Sequence, residues 1–183
     1  MTFGEGTTKI TAIERPVPRL ETRRLLLRPM ILADVSELLQ IFSDAKVMAS
    51  FGVPPFGLGE MEQWVQRNLA HQKANGYGLF SVILKSNGML IGDCGLERME
   101  IEGTQTVELG FDFRSDQWNR GYATEAAIAV RDFAFDQLKL PRLISLIQVG
   151  NIASRRVAEK VGMAYAGELI RNGKHYWKYS IET

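Results

Sequence analysis

The chain has 183 residues, 45% of them hydrophobic and 23% charged, with a formal net charge of +1. That length fits one domain that buries roughly two-thirds of its unfolded surface, and the near-neutral balance argues against bulk binding to nucleic acid or to an anionic membrane. A single cysteine, Cys94, excludes an internal disulfide and suits a reducing cytoplasm. No apolar run reaches the ~18–20 residues of a spanning helix, and the first residues lack the apolar stretch of a secretion signal.

Residues 1–19 carry Gly, Thr, spaced charges, Pro16 and Pro18, and are expected to form an extended or poorly ordered arm before a domain over 20–183. Residues 23–29 read as a first strand, with Leu25, Leu26 and Leu27 between arginines. Asp34 then marks a helix start, with Val35, Leu38, Leu39 and Phe42 as its buried stripe. Residues 44–59 hold Gly52, Pro54, Pro55, Gly57 and Gly59, and read as a loop. A second helix is expected over 60–73, with Met61, Trp64, Val65 and Leu69 inward and Gly76 beyond its end.

Strands follow. Residues 78–85 and 89–99 flank Ser86-Asn87-Gly88, a hairpin signal, and a turn near Gly103 leads to a strand over 107–113 that contains Glu108. From Ala123 the apolar positions Ala126, Ala127, Val130, Phe133, Ala134 and Leu138 recur at three and four residues, one helix face. Residues 142–149 read as an interior strand and 154–161 as a short helix closed by Gly162. Two last strands, 164–171 and 174–181, meet at Asn172-Gly173. Cys94 sits in an apolar strand pattern and reads as a small buried residue rather than a nucleophile.

Between the strand of Glu108 and the long helix lies Trp118-Asn119-Arg120-Gly121-Tyr122-Ala123-Thr124. A loop entering a helix leaves the first N–H groups unpaired, and the helix dipole adds partial positive charge there, so the turn suits a phosphate. Gly121 permits close approach or a positive φ, Ala123 is small, and Arg120 adds a cation. The same spacing also fits an ordinary strand-to-helix turn.

WNRGYATEA (118–126) resembles the acetyl-CoA pyrophosphate loop of the GNAT N-acetyltransferases, whose pattern is Q/R-x-x-G-x-G/A, and is most similar to the ribosomal-protein alanine N-acetyltransferase branch of RimJ/RimL type. LETRRLLLRP, ELGF and NIASRRVAEKVGM fall in the family's order, so the resemblance spans residues 20–181. Trp118 stands where the general pattern has Gln or Arg, and Asn119 where this branch often has Gly. The resemblance implies a single-domain α/β (mixed α+β) GNAT fold: a central, mostly antiparallel sheet with a splayed parallel pair and helices on both faces.

It also implies acetyl-CoA as cosubstrate, with its diphosphate on 118–124 and its pantetheine along backbone groups of Phe111, Asp112 and Phe113, where a main-chain N–H would receive the acetyl oxygen. Asn151 would bond the pantetheine amides; the other role for an Asn here is an N-cap, but it stands about two residues before the expected helix, which favours the cofactor role. Ser154 would bring a hydroxyl near the sulfur, or would bond its own first turn. Relatives outside the branch carry a tyrosine acid seven residues after that Asn; here the position is Ala158, so Ser154 or water must protonate the thiolate.

Glu108 is the candidate base, because a carboxylate desolvated at a cleft has its pKa raised toward neutrality; the alternative is an exposed glutamate on a strand face. Phe51, Phe56, Trp64, Tyr176 and Trp177 are candidate walls of an acceptor slot, although aromatics at helical spacing often only pack. His71 and His175 are isolated and read as surface residues, and no His, Cys and carboxylate group has metal spacing. Walker, dinucleotide and nucleophile-elbow motifs are missing. The sequence thus predicts a cytoplasmic N-acetyltransferase without a metal, in which an amine attacks the thioester directly. The acceptor is a protein N-terminus or a small molecule, no nucleic acid or membrane is engaged, and an exposed edge strand leaves room for a homodimer. A catalytically silent acyl-CoA-binding module is the alternative.

Overall fold

The computed structural model describes residues 17–183. The predicted arm therefore lies outside the described residues except for its last three, of which Val17 packs against the main core. The first elements are β1 (Leu20–Glu21) and β2 (Leu25–Pro29), then a 3-10 turn over Leu32–Asp34 and α1 (Val35–Phe42). The stretch expected to be all loop contains a short helix, α2 (Ala45–Met48), because Asp44 accepts the Lys46 N–H at 2.8 Å and caps it. The next helix, α3 (Leu58–Asn75), begins two residues earlier than expected, where Glu60 reaches back to the Gly57 N–H at 2.7 Å.

The meander β3 (Leu79–Leu84), β4 (Leu90–Ile101) and β5 (Thr104–Phe113) leads into α4 (Tyr122–Asp136), followed by β6 (Arg142–Gln148), α5 (Ile152–Val161), β7 (Ala164–Arg171) and β8 (Lys174–Glu182). β5 starts at Thr104 rather than at residue 107, because Glu102 and Gly103 both take positive φ and close a two-residue hairpin on β4. The eight strands lie in the order β1-β2-β3-β4-β5-β6-β8-β7, antiparallel everywhere except at β5–β6. This is the predicted mixed sheet.

Two apolar cores sandwich that sheet. Under α4 and α5 lie Phe80, Cys94, Leu96, Leu109, Val130, Phe133, Leu143 and their neighbours. Under α1–α3 a separate cluster gathers Leu38, Phe42, Met48, Met61 and Val65 against Leu79 and Leu90. Asp34, 2% exposed, ties the second layer to the sheet: its carboxylate accepts from Arg28 (2.8 Å at Nη1), from the Ser81 hydroxyl (2.6 Å) and from the Ile31 N–H (3.0 Å). Among the described residues no helix is long and apolar enough to cross a membrane.

Candidate active site

The single parallel pair makes the site. β5 and β6 pair at one register, Glu108 opposite Ile144, and then part. Where they part, side chains satisfy the inner backbone groups: Glu108 Oε1 accepts the Leu146 N–H, and Ser145 donates its hydroxyl to the Leu109 carbonyl, both at 3.0 Å. Past that point Phe111, Asp112 and Phe113 pair with Cys94, Asp93 and Gly92 of β4 on one edge and line an open cleft of about 680 Å³ on the other.

The cleft ends at the start of α4. Trp118 donates its indole N–H to the Phe113 carbonyl at 2.8 Å, Asn119 takes φ +60°, and Gly121 takes φ +79°. Asparagine tolerates the left-handed region better than most residues, so Asn119 keeps the turn available without glycine. The first helical bond runs from the Glu125 N–H to the Gly121 carbonyl at 3.0 Å. The amides of Tyr122, Ala123 and Thr124 precede it, as at any helix start. Arg24 clamps this turn: it donates to the Arg120 carbonyl (2.9 Å), pairs with Glu125 (2.7 Å) and covers the Tyr122 ring at 4.4 Å. Glu125 is held in turn by the Thr22 hydroxyl at 2.6 Å.

Across the cleft, Asn151 lies directly before α5, not two residues away, and its Oδ1 accepts the Ser154 N–H at 3.1 Å. Capping uses the carbonyl oxygen and leaves the Nδ2 donors for a second partner. Ser154 faces the cleft, and Lys46, Arg156 and Lys160 add positive charge to its wall. Ala158 is fully buried in the core. A wider groove of about 860 Å³ runs along the outer side of α4, but the carboxylates described next lie away from it.

On the face of the sheet opposite α4, β4 and β5 present four carboxylates in register, Glu97 opposite Glu108 and Asp93 opposite Asp112, with Gly95 opposite Gly110 between them. Burial drives the Glu108 pKa up to about 7; the Leu146 N–H opposes the rise, Glu97 adds to it and Arg171 opposes it. Burial, Glu97 and Glu108 also raise Asp112 to about 7. Asp93, wholly buried, is raised well above the ordinary range by burial first, then by Asp112 and Glu97. Glu97 is raised by burial against the pull of His71, Arg67 and Arg171. Glu108 and Asp112 are therefore placed to take up and release protons near neutral pH.

An acetyltransferase (GNAT) domain model matches residues 24–164. An uncharacterized N-acetyltransferase of Bacillus subtilis, YnaD, is 32% identical over 161 residues, covering 86% of this chain and 91% of that protein. The crystal structure of an acetyltransferase from Agrobacterium tumefaciens superposes with a TM-score of 0.79 at 30% identity, over 91% of this chain and 95% of that one. The chain is a GNAT acetyltransferase. RimL, a ribosomal alpha-N-protein acetyltransferase solved with coenzyme A, has a TM-score of 0.74 over 90% of this chain and 98% of that one; at 16% identity it shows the shared fold alone.

In this GNAT acetyltransferase the predicted loop except Arg120, the ends of β5 and the start of α5 surround one cleft. Phe51, Phe56 and Trp64 gather around Phe42, with ring centroids 6.1, 5.7 and 4.9 Å from it, on the α1–α3 side. Tyr176 pairs with Gln148, which lines the cleft. Trp177 departs from its expected place: strand alternation puts it against the α4–α5 core, under the Arg155 guanidinium. His71 is no surface residue either; half-buried, it accepts the Arg98 N–H at 2.8 Å where β3 no longer covers β4. His175 is exposed as expected. Among the described residues no group of His, Cys, Asp and Glu could hold a metal ion. Arg24, Asp93 and Glu97 were not singled out from the sequence, although counting outward from a two-residue turn at Glu102-Gly103 places both carboxylate pairs.

Proposed function

We propose that this acetyltransferase moves the acetyl group of acetyl-CoA to a primary amine by direct attack in a ternary complex, with Glu108 as base. The observation that carries this reading is the position of Glu108: a carboxylate raised to about 7 stands at the last rung of the β5–β6 pair, where the cleft opens. The amine nitrogen bonds the acetyl carbon, its proton passes to Glu108, the carbon–sulfur bond breaks, and the thiolate takes a proton from Ser154 or water. An α-amine asks little of the base, since its pKa is about 7.7–8.0.

The α4 amides with Arg120 suit the diphosphate, and Lys46, Arg156 and Lys160 add cations around them. The cleft edge of Phe111–Phe113 suits a strand-like pantetheine, with Asn151 Nδ2 donating to its carbonyls. The likeness of WNRGYATEA to the RimJ/RimL branch supports a protein N-terminus as acceptor; a small amine fits the same chemistry. The single buried thiol of Cys94 supports a cytoplasmic setting. Tyr165 and Ile170, 55% and 65% exposed on the outer strand β7, support a homodimer along that edge.

Acetyl-CoA, and equally desulfo-CoA, is expected to raise the melting temperature, because at ~100 times its dissociation constant a ligand adds roughly 2.7 kcal/mol. No shift from either at millimolar concentration would remove the cofactor reading. Amine-dependent release of CoA then separates an enzyme from a silent acyl-CoA binder. Gly121→Val should fold but lose most of its CoA affinity. A β-branched residue is strained at φ +79°, and a Cβ there already stands 3.4 Å from Arg24 Nη2. Parental CoA affinity in the folded variant, read by titration calorimetry, would place the diphosphate elsewhere.

A further inference from the structure

The row of carboxylates is more than a single base requires. Glu108 and Asp112 flank Gly110, above which an added Cβ would meet nothing within 4 Å, so an open slot lies between them. Behind it Asp93 is 0% exposed, and neither of its oxygens has a hydrogen-bond donor. Register sets Asp93 directly across from Asp112, on the same face. Gln148 Oε1, on the cleft wall, is also buried without a donor. A buried acceptor left unpaired carries a desolvation cost that a donor from a ligand would relieve.

The two ends of the row differ. Arg171 acts on both Glu97 and Glu108, and Arg67 on Glu97, whereas the charges acting on Asp93 and Asp112 are other carboxylates. The Asp93–Asp112 end is the less compensated one: the cation in its cross-strand row, Arg28 opposite Ser81, is already paired with Asp34. Resting on the amine-acetylating reading above, we propose that the acceptor is an aliphatic amine with a second ammonium group, a diamine or longer polyamine. Its distal ammonium is held by Asp112 with Asp93 behind it, and its reacting nitrogen lies at Glu108.

The dimensions suit such a molecule. Four residues along one strand separate the two Cα atoms by about 13 Å at ~3.3 Å per residue, a span that calls for an extended aliphatic chain between two nitrogens. A peptide N-terminus offers one ammonium and then backbone carbonyls, which are acceptors and would leave Asp93 and Asp112 unpaired. The transfer keeps its balance: a nitrogen–carbon bond replaces the carbon–sulfur bond, and the distal ammonium neither gains nor loses a proton.

Titration calorimetry of the full chain saturated with CoA tests this with putrescine, spermidine, butylamine and a tetrapeptide bearing a free α-amine. Either polyamine should bind at least about tenfold more tightly than butylamine or the peptide. Binding should release protons, seen as a heat that depends on the buffer, because the distal ammonium favours ionised Asp112 and Asp93. Asp112→Asn should remove most of the excess. Equal affinities for polyamine and monoamine, a preference for the peptide, or an undiminished polyamine preference in both Asp112→Asn and Asp93→Asn would overturn the assignment. The ligand comparison in the parent protein stands even if a variant does not fold. Polyamine preference without amine-dependent CoA release would sink acetyl transfer and keep the slot. Release with all amines alike would do the reverse.

Discussion

Glu108→Gln is expected to lower kcat by about 10²–10⁴-fold on the best acceptor while leaving acetyl-CoA affinity close to parental. The amide keeps an oxygen for the Leu146 N–H, so the parting of β5 and β6 survives while the basicity is gone. The parent's rate should rise with pH through about 7. That ionisation is raised first by burial and then by Glu97, and is lowered by the Leu146 N–H and by Arg171. Stability should move the other way. The folded chain keeps a proton that an unfolded glutamate releases near 4.5, so stability falls as pH rises from there to about 7. The variant should lose that slope and be no less stable than the parent at pH 8. Parental kcat in Glu108→Gln would pass base duty to water or to an amine that ionises unaided.

Asp34→Ala is expected to cost about 3 kcal/mol, the lower part of the range for breaking a buried ion pair, because Arg28 keeps 22% side-chain exposure and can recruit water. For a chain of this length the melting temperature should drop by roughly 6–12 °C. Burial pushes the Asp34 carboxyl up, but Arg28, Ser81 and the Ile31 amide together hold it below its ordinary value. Its contribution is therefore present above about pH 4 and lost as pH falls through the depressed pKa. Parent and variant melts should converge in acid. A difference that persists at pH 2 would mean that packing, not the charge network, carries the loss.

Periodic segments with clear punctuation were legible in the sequence: the α4 stripe from Ala126 to Ala134 and the turns at Gly88 and Gly173. Elements that rest on one local hydrogen bond were not. α2 depends on a single Asp44 cap inside a stretch rich in Pro and Gly, and β1 on two residues that pair with Leu26 and Leu27. Trp177 was misplaced because both neighbours in Tyr176-Trp177 are aromatic, and only the register against β6 decides which faces the core. His71 looked isolated because its partner, the Arg98 amide, is a backbone group 27 residues away. Glu108 stood out as the acid beside apolar residues. The other three carboxylates became meaningful only when the hairpin register set them side by side.

The two separate cores give the molecule a division of labour over evolutionary time. Substitutions among Leu38, Phe42, Met61 and Val65 repack a layer that shares the sheet with the α4–α5 core but little of its interior. Descendants of this chain can therefore reshape the wall proposed to meet the acceptor, lengthening its loops or exchanging its aromatics, while the turn clamped by Arg24 and Glu125 stays in place. One inherited half would keep a fixed address for the donor, and the other would be free to drift toward new amines.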